Sequence, residues 1–113
     1  MATKATKKTF IARLEGHEFR IQRTTKAAYT YALIVTGIKE SWLHEMTEQE
    51  AGYPGMYKPE QFAEAERDIK ATRDGSYKPW YRSLHRTQAA AEKAGKAWLA
   101  RAYHTAVVPL EEV

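Results

Sequence analysis

The chain has 113 residues and no cysteine, and its 18 Lys and Arg against 14 Asp and Glu give a formal net charge of +4. This length indicates one domain, and 43% hydrophobic with 28% charged residues is the composition of an ordinary globular protein rather than a disordered or fibrous one. The absence of cysteine excludes a disulfide scaffold, a cysteine zinc finger, a cysteine nucleophile and an iron–sulfur cluster.

The first third of the chain has the alternating pattern of β-strands. Phe10, Ala12 and Leu14 alternate with their neighbours, Phe19 and Ile21 do the same, and a Gly-containing break between the two runs predicts a hairpin. Residues 1–8, with three lysines, are predicted to form a flexible basic arm before a single domain over residues 9–113. The run over 29–36 is the richest in aromatic and β-branched residues and predicts a central third strand that ends at the glycine at 37.

The sequence of residues 39–58 does not predict a single type of secondary structure. Ser41–Met46 is compatible with a helical turn, whereas Gly52–Gly55 requires a loop or turn. We therefore expect an irregular surface excursion over residues 39–58.

Two helices are predicted beyond this excursion. Pro59 and Glu60 favour a helix start, and the helical spacing continues to Gly75. Residues 78–84 are predicted to be extended, and Ser83 or Thr87 is available to cap a second helix over 88–102. The apolar face predicted for this second helix consists of Ala91, Ala94, Trp98 and Ala102.

Residues 103–110 predict a last strand, which Pro109 should place towards an edge of the sheet or a terminus. The element order is then β-β-β-α-(β)-α-β. This order predicts an α+β fold, with a mainly antiparallel sheet and two helices packed on one face.

Charge is unevenly distributed along the chain. Residues 1–26 carry +5, residues 39–74 carry −4 and residues 78–104 carry +5. In the predicted fold, these segments give faces of opposite sign, and a basic face is the first feature expected of a protein that binds nucleic acid. The alternative is that +4 on a chain of this length is ordinary solubility charge.

Two basic segments are candidate nucleic-acid or anion sites. Hydroxyls and Arg side chains after the hairpin are good donors to phosphate, although turns are polar in any case. The second segment interleaves aromatic rings with cations, a pattern typical of proteins that bind single-stranded nucleic acid. The alternative is that its Trp and Tyr are core residues that cover the edge of the sheet. The candidates are Arg20, Arg23, Thr24 and Lys26 in the first segment, and Lys78, Trp80, Arg82 and Arg86 in the second.

The excursion supplies a candidate surface for docking a protein partner. Its large side chains lie in a segment without clear periodicity, and Trp and Tyr dominate binding hot spots. The equal alternative is that the segment folds back and buries them. The side chains concerned are Trp42, Tyr53, Met56 and Tyr57.

No residue pattern predicts an enzyme, a metal site or a cofactor. The four histidines lack metal-ligand spacing, and His44 with its neighbouring glutamates is interpreted as a solvated helix face. Ser83 and His85 are too close in sequence to be expected to act as nucleophile and base, and no phosphate loop or nucleophile elbow is present.

Four short motifs, which contain 33 of the 113 residues, resemble small uncharacterised accessory proteins of bacteriophages that infect actinobacteria. The motifs are RTTKAAYTYALIV (23–35), WYRS (80–83), AAAEKAGKAW (89–98) and AVVPLE (106–111). Tyr31, Leu33 and the long middle excursion depart from the family pattern. The family has no assigned activity, so the resemblance implies a context: a phage protein that redirects or blocks a host component.

The leading functional prediction is a non-enzymatic phage accessory protein that engages nucleic acid, or a host component that handles it, through a basic face. A second prediction is an inhibitor of a host or anti-phage defence protein that docks through the aromatic, acidic excursion. A third is a small self-assembling structural protein that uses an edge strand at 107–110, so an oligomer is left open. The longest uncharged stretch is too short and polar to span a bilayer and no signal core is seen, so we expect the host cytoplasm and no membrane partner.

Overall fold

The computed structural model, which describes residues 5–97 and 99–113, is an α+β fold built on a five-stranded antiparallel sheet. The strands are β1 (Thr6–Leu14), β2 (His17–Thr25), β3 (Tyr31–Ile38), β4 (Trp80–His85) and β5 (Tyr103–Glu112). The helices are α1 (Glu40–Gly52), α2 (Pro59–Asp74), α3 (Gln88–Gly95) and α4 (Leu99–Ala102). The strand order is β2-β1-β5-β3-β4, and the helices pack against the sheet, so the predicted fold class is confirmed.

The β1–β2 hairpin is continuous from the pair Leu14–His17 to the pair Thr6–Thr25. Its two-residue turn has positive φ at both Glu15 (47°) and Gly16 (83°), as the hairpin turn that matches strand twist requires. Residues 6–8, which the sequence analysis placed in the basic arm, are instead the first residues of β1 because β2 is long enough to pair with them. Residues 1–4 of that arm lie outside the described residues.

β5 lies between β1 and β3, so the edge position that was one alternative for Pro109 is wrong; β5 is the last element of the chain, which agrees with the other alternative, a terminus. The Leu110 N–H donates to the Thr30 carbonyl at 2.8 Å, and alternation along the strand therefore turns the Pro109 nitrogen away from β3 and towards β1. Pairing with β1 begins only at Leu110, so the missing N–H of Pro109 interrupts no ladder. Residues 107–109 pair with β3 on one side only, since pairing with β1 covers Leu110 to Glu112, so self-assembly through 107–110 stays a prediction.

The sheet is curled around a cluster to which every strand contributes, here called the strand core. Its centre is fully or almost fully buried, and half-buried residues from β1, β2, β4 and β5 pack against it. In a flat sheet the edge strands β2 and β4 would be four strand spacings, or about 19 Å, apart. Their sharing of one cluster therefore requires strong curvature. The strand core consists of Ala12, Ala32, Ile34 and Val108, with Leu14, Phe19, Tyr81, Leu84 and Leu110 around them.

A second cluster, the helix core, joins α1 and α2 to the Ile38 end of β3. It consists of Ile38, Met46, Ala65 and Ile69, with Trp42, Leu43, Tyr57, Phe62 and Tyr103 around them. The irregular excursion expected over 39–58 is therefore wrong over most of its length, because residues 40–52 form α1. This helix has no side-chain cap at its start, so its stability depends on packing into the helix core rather than on local signals.

The other helices follow their predicted signals more closely. α2 begins at Pro59 and is ended by Gly75, as expected. Thr87 is the cap of α3 and accepts a hydrogen bond from the Ala90 N–H at 3.1 Å. The second helix was predicted to continue to 102, but α3 ends at Gly95 and the short α4 follows; Trp98, assigned to its apolar face, lies outside the described residues.

Candidate nucleic-acid interface

The two edges of the curled sheet are joined by a contact between Arg23 on β2 and Tyr81 on β4. Arg23 Nη2 donates to the Tyr81 hydroxyl at 2.9 Å, and the guanidinium carbon lies 5.5 Å from the centre of the tyrosine ring. Phe19, Ile21 and Arg23 are every second residue of β2. Because side chains alternate along a strand, Arg23 lies on the same face as the other two, which turns towards the strand core. The curvature thus brings residues 58 positions apart in the sequence into direct contact.

The connection from β2 to β3 adds a second link between the two basic segments. The Thr25 hydroxyl accepts from the Ala27 N–H at 2.9 Å and closes the turn that carries Lys26. Four residues later, the Thr30 hydroxyl donates to the Arg86 carbonyl at 2.6 Å. The Thr30 N–H also donates to the His85 carbonyl at 2.9 Å, so Thr30 ties the end of this connection to the end of β4.

We call the resulting surface the basic seam. It consists of Arg23 and Tyr81, which are in direct contact, and of the exposed cations that lie near them along the chain, Lys26, Arg82 and Arg86. The four cations belong to both predicted segments, and the contact between Arg23 and Tyr81 is what joins these segments. Arg86 lies about 16 Å from Tyr81 along an extended chain. The sequence analysis listed Trp80, not Tyr81, as the aromatic candidate of the second basic segment. Neighbouring residues of a strand lie on opposite faces, and it is Tyr81 that packs against the strand core.

The other four predicted residues do not join the seam. Trp80 pairs with Val35 at the opposite end of β4 from Arg86, about 20 Å away along an extended strand. Its indole N–H donates to the Tyr77 hydroxyl at 3.0 Å and its ring meets Tyr103 edge to face, but 39% of its surface is exposed, so it is only partly packed. Lys78 lies two residues before Trp80. Arg20 and Thr24 alternate with Arg23 along β2 and therefore lie on the opposite face of the strand.

The four seam cations carry no internal ion pair. Within the described residues, the lysines and arginines that bond to a carboxylate are Lys8, Arg13, Arg73 and Arg101. Lys8, the neighbour of Arg23 across the hairpin, lies 3.3 Å from Glu112. Lack of an ion pair is therefore common to most cations of the described chain, and the contact with Tyr81 is what distinguishes Arg23. Unneutralised cations attract anions.

The predicted docking residues divide into two pairs. Trp42 and Tyr57 are half-buried and pack against the helix core. Tyr53 and Met56 are 75% and 54% exposed in the loop between α1 and α2. This loop is ordered by Glu50, whose carboxylate accepts from the N–H groups of Gly55 at 2.7 Å and Tyr57 at 2.8 Å.

Ser83 and His85, judged too close in sequence to interact as nucleophile and base, are in fact hydrogen bonded. Ser83 Oγ lies 2.7 Å from His85 Nε2, because residues two apart on a strand project from the same face. No carboxylate among the described residues bonds the other ring nitrogen, so the pair lacks the third group that orients such a base. Nor do the described residues contain a group of three His, Asp or Glu side chains able to hold a metal ion.

None of the helices in the described ranges is long and apolar enough to cross a membrane. Comparison with protein-family models, with curated proteins and with solved structures gave no match in any of the three. The resemblance to phage accessory proteins therefore stays a prediction.

Proposed function

We propose that this protein is a non-enzymatic binding protein that engages nucleic acid through the basic seam. The observation that carries the proposal is the contact between Arg23 and Tyr81, which unites two basic segments into one surface. With it we keep the predicted context, a phage accessory protein acting in the host cytoplasm on nucleic acid or on a host component that handles it.

The chemistry of the seam suits a phosphate backbone. Guanidinium groups donate to phosphate oxygens with paired N–H groups, and three of the four seam cations are arginines. The four are exposed, so binding a polyanion would not first require a buried charge to be uncovered. Since they lack carboxylate partners in the described chain, no internal ion pair has to be broken either.

The strand-built seam favours a single strand over a duplex. No helix contributes a side chain to it, whereas reading a duplex major groove commonly uses a helix. Single-strand binders combine a cationic track with aromatic faces, and here Tyr81 is the aromatic group beside the cations.

The test is fluorescence anisotropy of labelled single-stranded DNA, RNA and duplex DNA titrated with nuclease-treated protein at two salt concentrations. We expect the single strands to bind more tightly than the duplex, and the logarithm of the binding constant to fall by roughly 0.7 per phosphate contact for each unit of log salt. Failure to bind any of the three at low salt would overturn the proposal.

A second candidate function is docking to a host or defence protein through the α1–α2 loop. The observation that favours it is the exposure of Tyr53 and Met56 on a loop that Glu50 holds in place. Replacement of both by Ser should remove a captured host protein from a pull-down without unfolding the domain. Val113→Ser, which changes an apolar side chain of 74% exposure elsewhere, is the matched control and should retain that protein. Retention by the double variant would contradict this candidate.

A further inference from the structure

A small cavity lies between α1, α2 and the start of β5. Its volume is about 210 Å³, which is below the range of roughly 300–1,000 Å³ typical of sites for nucleotides and drug-sized molecules. The cavity therefore suits one side chain or a small ion. Its lining includes Trp42, Tyr57, Glu64, Asp68 and Tyr103.

Three aromatic side chains line this cavity, and contacts outside it hold two of them. The Tyr57 hydroxyl donates to Gln49 Oε1, and the Tyr57 ring meets Phe62 edge to face at 5.8 Å. The ring of Tyr103 meets Trp80 edge to face at 6.1 Å. Trp42, the third, packs against the helix core. Because these rings are fixed by neighbours, a ligand need not order them.

Two carboxylates line the same cavity. Glu64 and Asp68 lie one turn apart on α2, a spacing at which like charges repel. Neither forms an ion pair within the described residues. Partial burial raises the pKa of Asp68, and the charge of Glu64 raises it further. A cation in the cavity would relieve this repulsion, while an anion would add to it.

We propose that this aromatic pocket binds an alkylammonium group, the chemistry of a lysine side chain, methylated or unmethylated, and of a polyamine. Aromatic rings attract a cation through their quadrupole, and the carboxylates supply the countercharge. The pocket shares no residue with the basic seam, so this inference does not rest on the proposed nucleic-acid binding.

The test is an NMR titration of the complete chain that follows the indole N–H of Trp42, assigned by its loss in Trp42→Phe. The probes are Nα-acetyl-Nε-trimethyl-lysine amide and its neutral isostere, in which carbon replaces the ammonium nitrogen. We expect the cationic probe to bind about tenfold more tightly than the isostere, the size of effect that cation–aromatic attraction supplies. Equal affinity for the two, or no shift of the Trp42 signal, would overturn the proposal.

Two glutamates on α2 provide a matched pair of variants. Glu64→Gln removes a charge that lines the pocket, and Glu66→Gln removes the same charge from an exposed residue that does not line it. We expect Glu64→Gln to weaken binding of the cationic probe about threefold or more, and Glu66→Gln to leave it almost unchanged. Equal weakening by both would reduce the effect to net charge and contradict the site.

Further probes identify the source of the ammonium group. Spermidine, unmodified Nα-acetyl-lysine amide and the trimethyl form are compared by the same Trp42 signal. Tightest binding of spermidine assigns a polyamine, and tightest binding of either lysine form assigns a lysine side chain. In each case the pKa of Asp68, followed by its carboxyl carbon signal, should fall when the probe is bound. An unchanged Asp68 pKa at saturation would contradict the site.

Discussion

The strand side and the helix side of this molecule both pair part of their charge. On the helix side, Glu40 bonds to Arg73 at 2.7 Å and Glu45 bonds to Arg101. On the strand side, Arg13 bonds to Glu111 at 2.6 Å and Lys8 lies 3.3 Å from Glu112, whereas the four cations of the basic seam have no carboxylate partner among the described residues. The two sides therefore differ in what their unpaired cations contact: Arg23 lies against an aromatic ring where the two edges of the sheet meet.

The two cores are built alike and differ in what borders them. Each has a centre of four residues that are 7% exposed or less and five half-buried side chains around it. The strand core is enclosed by side chains from all five strands. The helix core borders a cavity, which three of its four half-buried aromatic rings line, so the helical end has room for a ligand.

The largest expected effect tests that difference in packing. Ile34 is fully buried in the strand core, and Ile69 lies in the helix core with 7% of its surface exposed. We expect Ile34→Ala to lower the free energy of unfolding by about 4 kcal/mol and Ile69→Ala by about 2.5 kcal/mol, because neighbours relax less around a fully enclosed site. Urea denaturation measures both. Equal losses would remove the distinction between the two cores.

The next effect tests how α2 is held against β3. A Cβ at Gly37 would lie 2.5 Å from Cγ2 of Thr72, whose hydroxyl accepts from the Ile38 N–H at 3.0 Å. We expect Gly37→Ala to cost about 2 kcal/mol in urea denaturation because Thr72 must move. Gly52→Ala, with nothing within 4 Å, is the control and should not destabilise the protein.

A second substitution sharpens this prediction. Thr72→Ser removes the Cγ2 methyl group but keeps the hydroxyl that bonds to Ile38. In the Gly37→Ala background it should therefore restore part of the lost stability. If it restores none, the close approach between β3 and α2 is not the cause of the loss.

The smallest expected effect concerns pH and the α1–α2 loop. The N–H groups of Gly55 and Tyr57 stabilise the charged form of Glu50 and hold its pKa below the ordinary value of 4.5. The stabilisation is therefore fully present above that ordinary value and is lost as the pH falls through the lowered pKa. Amide hydrogen exchange, corrected for its intrinsic pH dependence, should show lower protection of Gly55 and Tyr57 in Glu50→Gln at neutral pH. Unchanged protection would show that other contacts order the loop.

Local signals in the sequence were sufficient for several elements. Proline at the start and glycine at the end of α2, and the threonine cap of α3, act within one turn of the residues they affect, and the structure confirms them. α1 was missed because its start has no side-chain cap and its apolar residues are held by the helix core. Contacts with residues distant in sequence stabilise α1, and a local sequence pattern does not show such contacts.

The site was less predictable than the fold. The sequence identifies the two basic segments, but the contact between Arg23 and Tyr81 depends on the curvature of the whole sheet. The selection of Trp80 followed from its residue type, whereas its place beside Tyr103 follows from the register of β4 on β3. The aromatic pocket likewise combines residues of α1, α2 and β5 whose proximity no short motif encodes.

The central claim is that the basic seam, rather than net positive charge, binds nucleic acid. Two triple variants separate these explanations, since each removes three exposed positive charges. The seam variant is Arg23→Gln, Arg82→Gln and Arg86→Gln, and the matched control is Lys70→Gln, Arg73→Gln and Lys93→Gln on α2 and α3.

The decisive measurement is the anisotropy of labelled single-stranded DNA as a function of salt for both variants and the unsubstituted protein. The seam variant should bind at least about 100-fold more weakly at low salt, with a salt slope smaller by about two, while the control keeps most of both. Equal losses in the two variants, or an unchanged slope in the seam variant, would contradict the account.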